Sequence, residues 1–322
     1  MPVHFIYSSS KKEETEPQKE DQSYRAPSNI KRRVNVLSNL EESSVLPVLE
    51  FINSQTGLSC RLIQWTDDFS HQEGEFDLFL GICSGVIREN IYNYSSNTLN
   101  SIDPTLYRDG VLTWSKWYSC IALNTLFAEE FVLDLKELTG KITMVKPEND
   151  PLLFIVLYTL YRKYGRPILE DINGIIPLYR NSREELVFTI ESGQYPAVLG
   201  IDGYFRESIE KGYPIRILYS SISELKYQVT TVSGDNIAFI PESAENRHGA
   251  EYILDFLTSS AFQSFLEKTH FTPVLLTTVA STQEPPANVL PADCDLSDVE
   301  EFKQMWTEIA FPEVIKDFVD EM

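Results

Sequence analysis

The chain has 322 residues and carries 48 acidic against 27 basic side chains, a formal net charge of −21. Nucleic-acid backbones select a basic face, so this balance excludes that partner class, and it also opposes adhesion to anionic lipid. A hydrophobic content of 43% with 12% aromatics is that of a globular chain, and the length suits two domains.

In chain order, residues 1–7 are too short and too weakly apolar for a secretory core, and residues 8–28 are polar, of mixed charge and without periodicity. Residues 1–33 are therefore expected to be a disordered tether. Residues 34–37 form a short strand. Ser38 and Asn39 are placed to cap the following helix, with Glu41 and Glu42 in its first turn and Pro47 near that turn. Leu46, Leu49, Phe51 and Ile52 give its apolar face, and Gly57 closes it. A strand over 58–65 follows, then a buried strand over 76–81 with a loop at 82–85 that carries Cys83 and Ser84. Residues 92–110 are polar and irregular. Residues 111–124 read as one long aromatic strand containing Trp114, Trp117 and Tyr118.

Lys146 to Pro151 is a strand-end loop carrying Glu148 and Asn149, in which Asp150 is an N-cap and Pro151 an N1 residue. Residues 152–164 are apolar nearly all round, the pattern of a buried helix too short to span a membrane. Asn181 or Ser182 caps the next helix, with Glu184 and Glu185 in its first turn and Gly193 at its end. A strand over 195–200, the turn Asp202-Gly203-Tyr204, a second helix ending at Gly212 and a strand over 215–219 complete a helix–strand–helix–strand series. In open α/β sheets ligands sit outside the C-terminal ends of strands, which makes Asp202 and Tyr204 candidate ligand residues. Residues 222–232 are a return crossover. Gly234, Asp235 and Asn236 are expected to turn into a strand over 237–240, and Leu254, Phe256, Leu257, Phe262 and Phe265 to form a helical core face. Residues 272–291 are a loop or meander. Residues 298–318 form a final amphipathic helix, interrupted near Pro312.

Several of these stretches, taken in order, resemble one family. ESG followed by an apolar strand, DGYF, a helix and KGYPIRILY looks like the second lobe of the type 2 solute-binding proteins of ABC importers. The group nearest in pattern serves ferric iron, phosphonates and phosphorylated small molecules. VNVLSNLEESSVLPVLEFINSQTGLSCRLIQW resembles the family's opening strand–helix–strand, and LDLKELTGKITMVK resembles its entry to lobe two. GDNIAFIPESAENRHGAEYILDFLTSSAFQSFLEK resembles its return. The resemblance runs, with gaps, from about residue 34 to the C-terminus.

It implies an α/β, two-lobed type 2 periplasmic-binding-protein fold, each lobe a mostly parallel sheet flanked by helices, with a ligand cleft between them. Lobe one combines 34–123 with 231–322, and lobe two is 124–230. Strand-end loops would present Ser38, Asn39 and Ser84 from one lobe and Asn149, Asn181, Ser182, Asp202 and Tyr204 from the other. Helix N-termini beside them would offer backbone N–H groups. Trp117 and Tyr118 become candidates for the cleft floor, where packing into the core is their other reading, just as capping of their own helices is for Ser38, Asn39, Asn181 and Ser182. The implied function is capture of a small molecule or metal ion by lobe closure and delivery to permease subunits. The implied location is the periplasm or the outer face of the cytoplasmic membrane. Residues 8–10 stand where a lipoprotein would carry its acylated cysteine, and they are serines; a trimmed or mis-started precursor and a simple disordered tail both fit.

Two departures bear on the ligand. Glu148 and Asp150 occupy a loop that anion-binding relatives fill with Ser, Thr and Gly, which favours a cation, a metal or a hydroxyl-bearing ligand. Ferric binders use adjacent tyrosines where this chain has Tyr204-Phe205. Anionic phospho compounds, ferric iron and a cationic ligand are ranked in that order. An enzyme on the same fold and a ligand-sensing module are the rival classes. The sequence contains no HExxH, GxSxG, Walker A or GxGxxG pattern, so no catalytic role and no cofactor are assigned. Cys60, Cys83, Cys120 and Cys294 show no CxxC spacing; buried free thiols and two disulfides in any of three connectivities are both open.

Overall fold

The computed structural model describes residues 24–65, 76–82, 90–127, 139–219, 221–222, 229–275 and 289–310. Its strands are β1 (Arg33–Ser38), β2 (Ser59–Gln64), β3 (Leu78–Ile82), β4 (Tyr107–Arg108), β5 (Val111–Asn124), β6 (Ile142–Val145) and β7 (Tyr179–Arg180). They continue as β8 (Ala197–Ile201), β9 (Ile215–Leu218), β10 (Ser221–Ile222), β11 (Val229–Thr230), β12 (Val232–Phe239), β13 (Thr272–Pro273) and β14 (Leu290–Pro291). The principal path of hydrogen-bonded neighbours is β2-β1-β3-β12-β5-β8-β6-β7.

β1 lies parallel to both β2 and β3, as expected of strands separated by crossovers. β12 runs antiparallel to β3 and to the first half of β5. The second half of β5 leaves β12 and pairs antiparallel with β8 and β9, and β6 extends that side parallel to β8. One strand therefore belongs to two half-sheets, with the exchange of partners falling between Tyr118 and Ser119. Two side chains take up backbone donors there. Asp202 accepts the Tyr118 N–H at 3.3 Å, and the Ser119 hydroxyl accepts the Val232 N–H at 2.8 Å.

Helices cover both half-sheets. Glu42–Thr56 buries Val45, Val48, Leu49 and Ile52. Arg247–Leu257 and Ser260–Leu266 bury Leu254, Phe256, Leu257 and Phe262, with Phe265 stacked on Phe51 at 4.1 Å between ring centroids. Pro151–Tyr164 is buried along most of its length. The helix Val299–Ala310 packs on it through Phe302, whose ring meets Phe154, Tyr158 and Tyr161. Asp77 ties the first half-sheet together: its carboxylate accepts the Asn35 N–H at 2.8 Å and the Asn246 N–H at 2.7 Å.

Several expectations change. Residues 24–33 are not part of a free tether, because Ala26 is buried and its N–H donates to the Thr56 carbonyl at 2.8 Å, while Tyr24 sets its ring edge against Phe256. Residues 1–23 lie outside the described residues. The first long helix starts at Glu42 after Glu41, which gives no side-chain cap, so Ser38 and Asn39 do not cap it, and Pro47 lies inside it. Gly234, Asp235 and Asn236 are not a turn but part of β12. Asn236 bonds the Ser115 hydroxyl at 2.7 Å across the ladder, and Asp235 pairs with Lys116 at 3.9 Å. The region 272–291 contributes the two short strands β13 and β14, and Pro312 lies outside the described residues. Cys60, Cys120 and Cys294 are free thiols.

Gly234 shows why β12 lacks a side chain there. A Cβ at this position would stand 2.1 Å from Cζ2 of the buried Trp117 ring. Gly234→Ala is expected to lower the unfolding free energy by about 1–3 kcal/mol through overpacking, read from urea denaturation. A variant as stable as the parent would mean that the Trp117 ring is not confined.

Candidate functional site

The site is built where three segments meet. The first is the loop leading into Glu42–Thr56. The Ser38 hydroxyl accepts the Leu40 N–H at 3.1 Å. Asn39 bonds Ile82 in both directions, its amide donating to the carbonyl at 3.1 Å and its Oδ1 accepting the N–H at 2.9 Å. These bonds hold the loop to the end of β3. Because Glu41 supplies no side-chain cap, the N–H groups of Glu42 and Ser43 have no intrahelical partner by geometry and point out of the helix end. The helix dipole adds positive potential there.

The second segment faces it from the other half-sheet. β6 runs into a short 3-10 turn, Pro147–Asn149, and then into Asp150, which caps Pro151–Tyr164 by accepting the N–H groups of Leu152 and Leu153 at 3.0 and 3.1 Å. The same carboxylate accepts the Tyr204 hydroxyl, at 2.8 Å to Oδ2 and 3.0 Å to Oδ1. Burial raises the Asp150 carboxyl above its ordinary range, against the pull of these bonds and of Arg183. Burial, and then Asp150 itself, push the Tyr204 phenol well above its ordinary value. Tyr204 thus stays a neutral donor at physiological pH.

Arg183, the first residue of the helix Arg183–Glu191, crosses to the first segment. It donates to the Ser44 hydroxyl at 2.7 Å and to the Ser43 hydroxyl at 2.9 Å, stands 3.5 Å from the Glu41 carboxylate, and lies over the Tyr204 ring at 5.4 Å.

The third segment is 268–272. Gly203 packs directly on it: a Cβ there would come within 1.8 Å of the His270 carbonyl oxygen, so no larger residue fits without moving backbone. Arg206 donates to the Phe271 carbonyl at 2.9 Å and to the Thr272 hydroxyl, and pairs with Asp202 at 3.2 Å. Tyr219 donates to Asp202 at 3.1 Å. The His270 imidazole is pushed down to about 4, first by burial and then by Arg183 and Arg206, with Glu207 opposing. Its Nε2 is buried without a hydrogen-bond partner, as is Nε1 of Trp117.

Between these segments lies a cavity of about 20 Å³, bounded among others by Ser44, Trp117, Asp150, Tyr204, His270 and Phe271. A larger groove of about 370 Å³ shares Tyr204 and His270 with it and is lined by both signs of charge, with Arg183, Arg206, Lys211 and Lys268 facing Glu184, Glu191, Glu207 and Glu210.

Of the residues singled out in the sequence, Trp117 and Tyr204 are brought together at the inner cavity. Ser38 and Asn39 brace the loop beside it. Asn149 is exposed and donates to the Asn181 carbonyl at 2.9 Å; the Asn181 N–H donates to Glu185 at 2.8 Å, and Ser182 caps its own helix through the Glu185 N–H at 3.2 Å. Asp202 is buried in the network with Arg206. Tyr118 follows Trp117 on the same strand and so points to the opposite face, where its ring meets Tyr219 edge-on at 6.0 Å. Ser84 lies outside the described residues. Phe205 is fully buried in the core, which leaves one phenol at the turn. Among the described residues no group of three or more His, Cys, Asp and Glu is assembled to hold a metal ion.

Ser43, Ser44, Arg183 and His270 were not singled out. Arg183 carried a usable signal, since it directly follows the capping Ser182 at a strand-end loop. His270 carried none, because its role depends on contact with Gly203, distant in sequence.

No family model matches the sequence, and a search of curated proteins returns no match. Solved structures do match. Iron-bound HitA from Pseudomonas aeruginosa superposes with a TM-score of 0.67 at 14% identity, over 87% of this chain and 100% of that one. The ferric binding protein from Campylobacter jejuni gives 0.66 at 14% identity, over 86% and 99%. The periplasmic binding protein AfuA from Actinobacillus pleuropneumoniae, with exogenous fructose-6-phosphate bound, gives 0.63 at 13% identity, over 86% and 97%. The chain has the two-lobed type 2 periplasmic-binding-protein fold. At these identities the likeness concerns the fold, which a two-component system protein also shares, at a TM-score of 0.61.

Two outcomes follow for the site. Asp150→Ala removes a helix cap and the acceptor of Tyr204, and should lower the unfolding free energy by about 1–2 kcal/mol in denaturant titrations. For His270 the folded value of about 4 lies below the ordinary 6.5, so protons favour the unfolded chain. The stability from this group is complete above about pH 6.5 and is lost as pH falls toward 4. Between pH 7 and 5 the parent should lose up to about 2 kcal/mol more than His270→Gln; equal losses in both proteins would remove the effect from His270.

Proposed function

We propose that this chain is an extracytoplasmic solute-binding protein that closes on a small phosphorylated or phosphonate anion and delivers it to the permease subunits of an ABC importer. Lobe one comprises residues 34–123 with the return from 231, and lobe two residues 124–230; the helix Val299–Ala310, although it follows the return, packs on Pro151–Tyr164 and so belongs with lobe two. The protein acts at the periplasmic or outer face of the cytoplasmic membrane and makes or breaks no bond. Closure follows from tighter binding of the ligand by the closed form.

The observation that carries this reading is the juxtaposition of Arg183 with the N-terminus of Glu42–Thr56. Two serine hydroxyls, a guanidinium and the outward N–H groups of an uncapped helix converge from opposite sides of the seam. That set of donors suits a phosphoryl group. Trp117 and Phe271 offer an apolar wall beside it, while the Tyr204 phenol oxygen, whose proton goes to Asp150, offers an acceptor to a hydroxyl group of the organic part. AfuA, which shares the fold, is described with fructose-6-phosphate bound. Ferric iron, named for other structural neighbours, is less well served, because Phe205 replaces the second phenol and Tyr118 lies on the other face of β5.

Native mass spectrometry of freshly purified protein should reveal a co-purified phosphorylated compound, and calorimetry with a panel of sugar phosphates should return saturable binding. Tyr204→Phe should weaken the best ligand by roughly 1–3 kcal/mol, the scale of one buried hydrogen bond left unmade. Saturable binding of ferric ion with no response to any phosphorylated compound would overturn the assignment of ligand class.

A further inference from the structure

Arg183 does more than face the seam; it is bonded across it. Its side chain is 14% exposed. Its two terminal nitrogens are spent on Ser44 and Ser43. Its position is electrostatically uneven: a cation rests at the positive end of a helix, an arrangement the dipole disfavours. The Glu41 and Glu184 carboxylates, each at 3.5 Å, and the Tyr204 ring at 5.4 Å offset this. The second crossing between the half-sheets, from Arg206 to Phe271 and Thr272, is of another kind. It sits beside β5, because Thr272 pairs with Lys116 of that strand and Asp202 holds both Arg206 and the Tyr118 N–H. Arg206 and the Gly203–His270 packing therefore brace the shared strand, the bonds of Tyr158, Arg162 and Arg166 to 293–308 hold a segment that packs on lobe two, and the contact of Arg183 with Ser43 and Ser44 lies apart from both.

The route to this contact is open. Arg183 lines the groove of about 370 Å³, whereas Ser44 lines the inner cavity of about 20 Å³. The inner cavity has room for about one water molecule and is far below the size of a small-molecule site. A ligand entering by the groove meets the guanidinium before it meets the serines. An anion is the chemical class able to replace what Arg183 would give up, since it accepts from the guanidinium and from the hydroxyls at once, and it removes the mismatch with the helix dipole.

We propose that Arg183 is a latch: it holds the seam shut through Ser43, Ser44 and Glu41, and an anion arriving along the groove takes over these bonds. This rests on the anion-binding reading for its second half, while the first half, self-closure, stands on the contacts alone.

Small-angle scattering of the full chain in phosphate-free buffer separates the two. Arg183→Ala should move the open-to-closed ratio about tenfold toward open, the scale of losing charge-assisted hydrogen bonds, and so enlarge the mean radius of gyration. The pair Ser43→Ala and Ser44→Ala should shift it the same way with the guanidinium intact, and Arg183→Lys should rescue only in part, for want of the fork. Circular dichroism at 25 °C confirms that each variant is folded. Scattering identical to the parent in both Arg183→Ala and the double serine variant overturns the latch. Inorganic phosphate, titrated by calorimetry, tests the other half. If Arg183→Ala opens and the parent ignores phosphate, the latch stands and the anion reading falls. If the parent binds phosphate and Arg183→Ala scatters as the parent does, the latch falls and the anion reading stands.

Discussion

The structure depends on one strand serving two sheets. β5 is 14 residues long and gives its first half to β12 and its second half to β8 and β9. A strand that changes partners leaves ladder donors to be satisfied by other means, and buried N–H groups are costly when left alone. Asp202 and Ser119 meet that requirement at Tyr118 and Val232. Asp202 is thereby committed to the backbone, to Arg206 and to Tyr219. Burial still raises its carboxyl above the ordinary range despite the Arg206 charge. A residue at the end of a strand, where ligands are ordinarily expected, is here part of the joint itself.

The seam beyond that joint is a contest between burial and partnership. Asp150 is nearly inaccessible, and one carboxylate serves a helix cap and the Tyr204 phenol together. Tyr204 in turn lies beneath the Arg183 guanidinium. Each group makes the next tolerable in a low-dielectric place, which is how such networks become rigid. Gly203 sets their distance from the third segment, because its missing side chain lets the His270 backbone approach. Two buried nitrogens of residues that border the cavity, Trp117 Nε1 and His270 Nε2, stay unpaired, the first of them against Gly234.

Much of this was legible in the residues themselves. The period of apolar positions gave β5 over residues 111–124 and the helix after Pro151 almost to the residue, because a side chain's face follows from its spacing along a strand or helix. The pair Asp150-Pro151 and Ser182 announced their helices through capping chemistry, which is local. The general rule for strand ends points to the turn after β8, and Tyr204 of that turn borders the inner cavity. The errors were also local in origin. Ser38 and Asn39 look like caps, yet their side chains are claimed by Leu40 and Ile82, and Ile82 lies on a strand 43 residues away. Gly234-Asp235-Asn236 looks like a turn, yet its pairing with residues 115–117 of β5 keeps it in β12, and the Trp117 ring across that ladder accounts for the glycine.

The sequence by itself determined the order and kind of the elements, the acidic character of the surface and the resemblance to two-lobed binding proteins, since propensity, capping and composition act over a few residues. Only the tertiary structure decided which polar groups face one another. Arg183 meets Ser44 across 139 positions of chain, and Tyr204 meets Asp150 across 54. Such meetings are set by the packing of whole half-sheets about a shared strand, and no property of either residue alone encodes them.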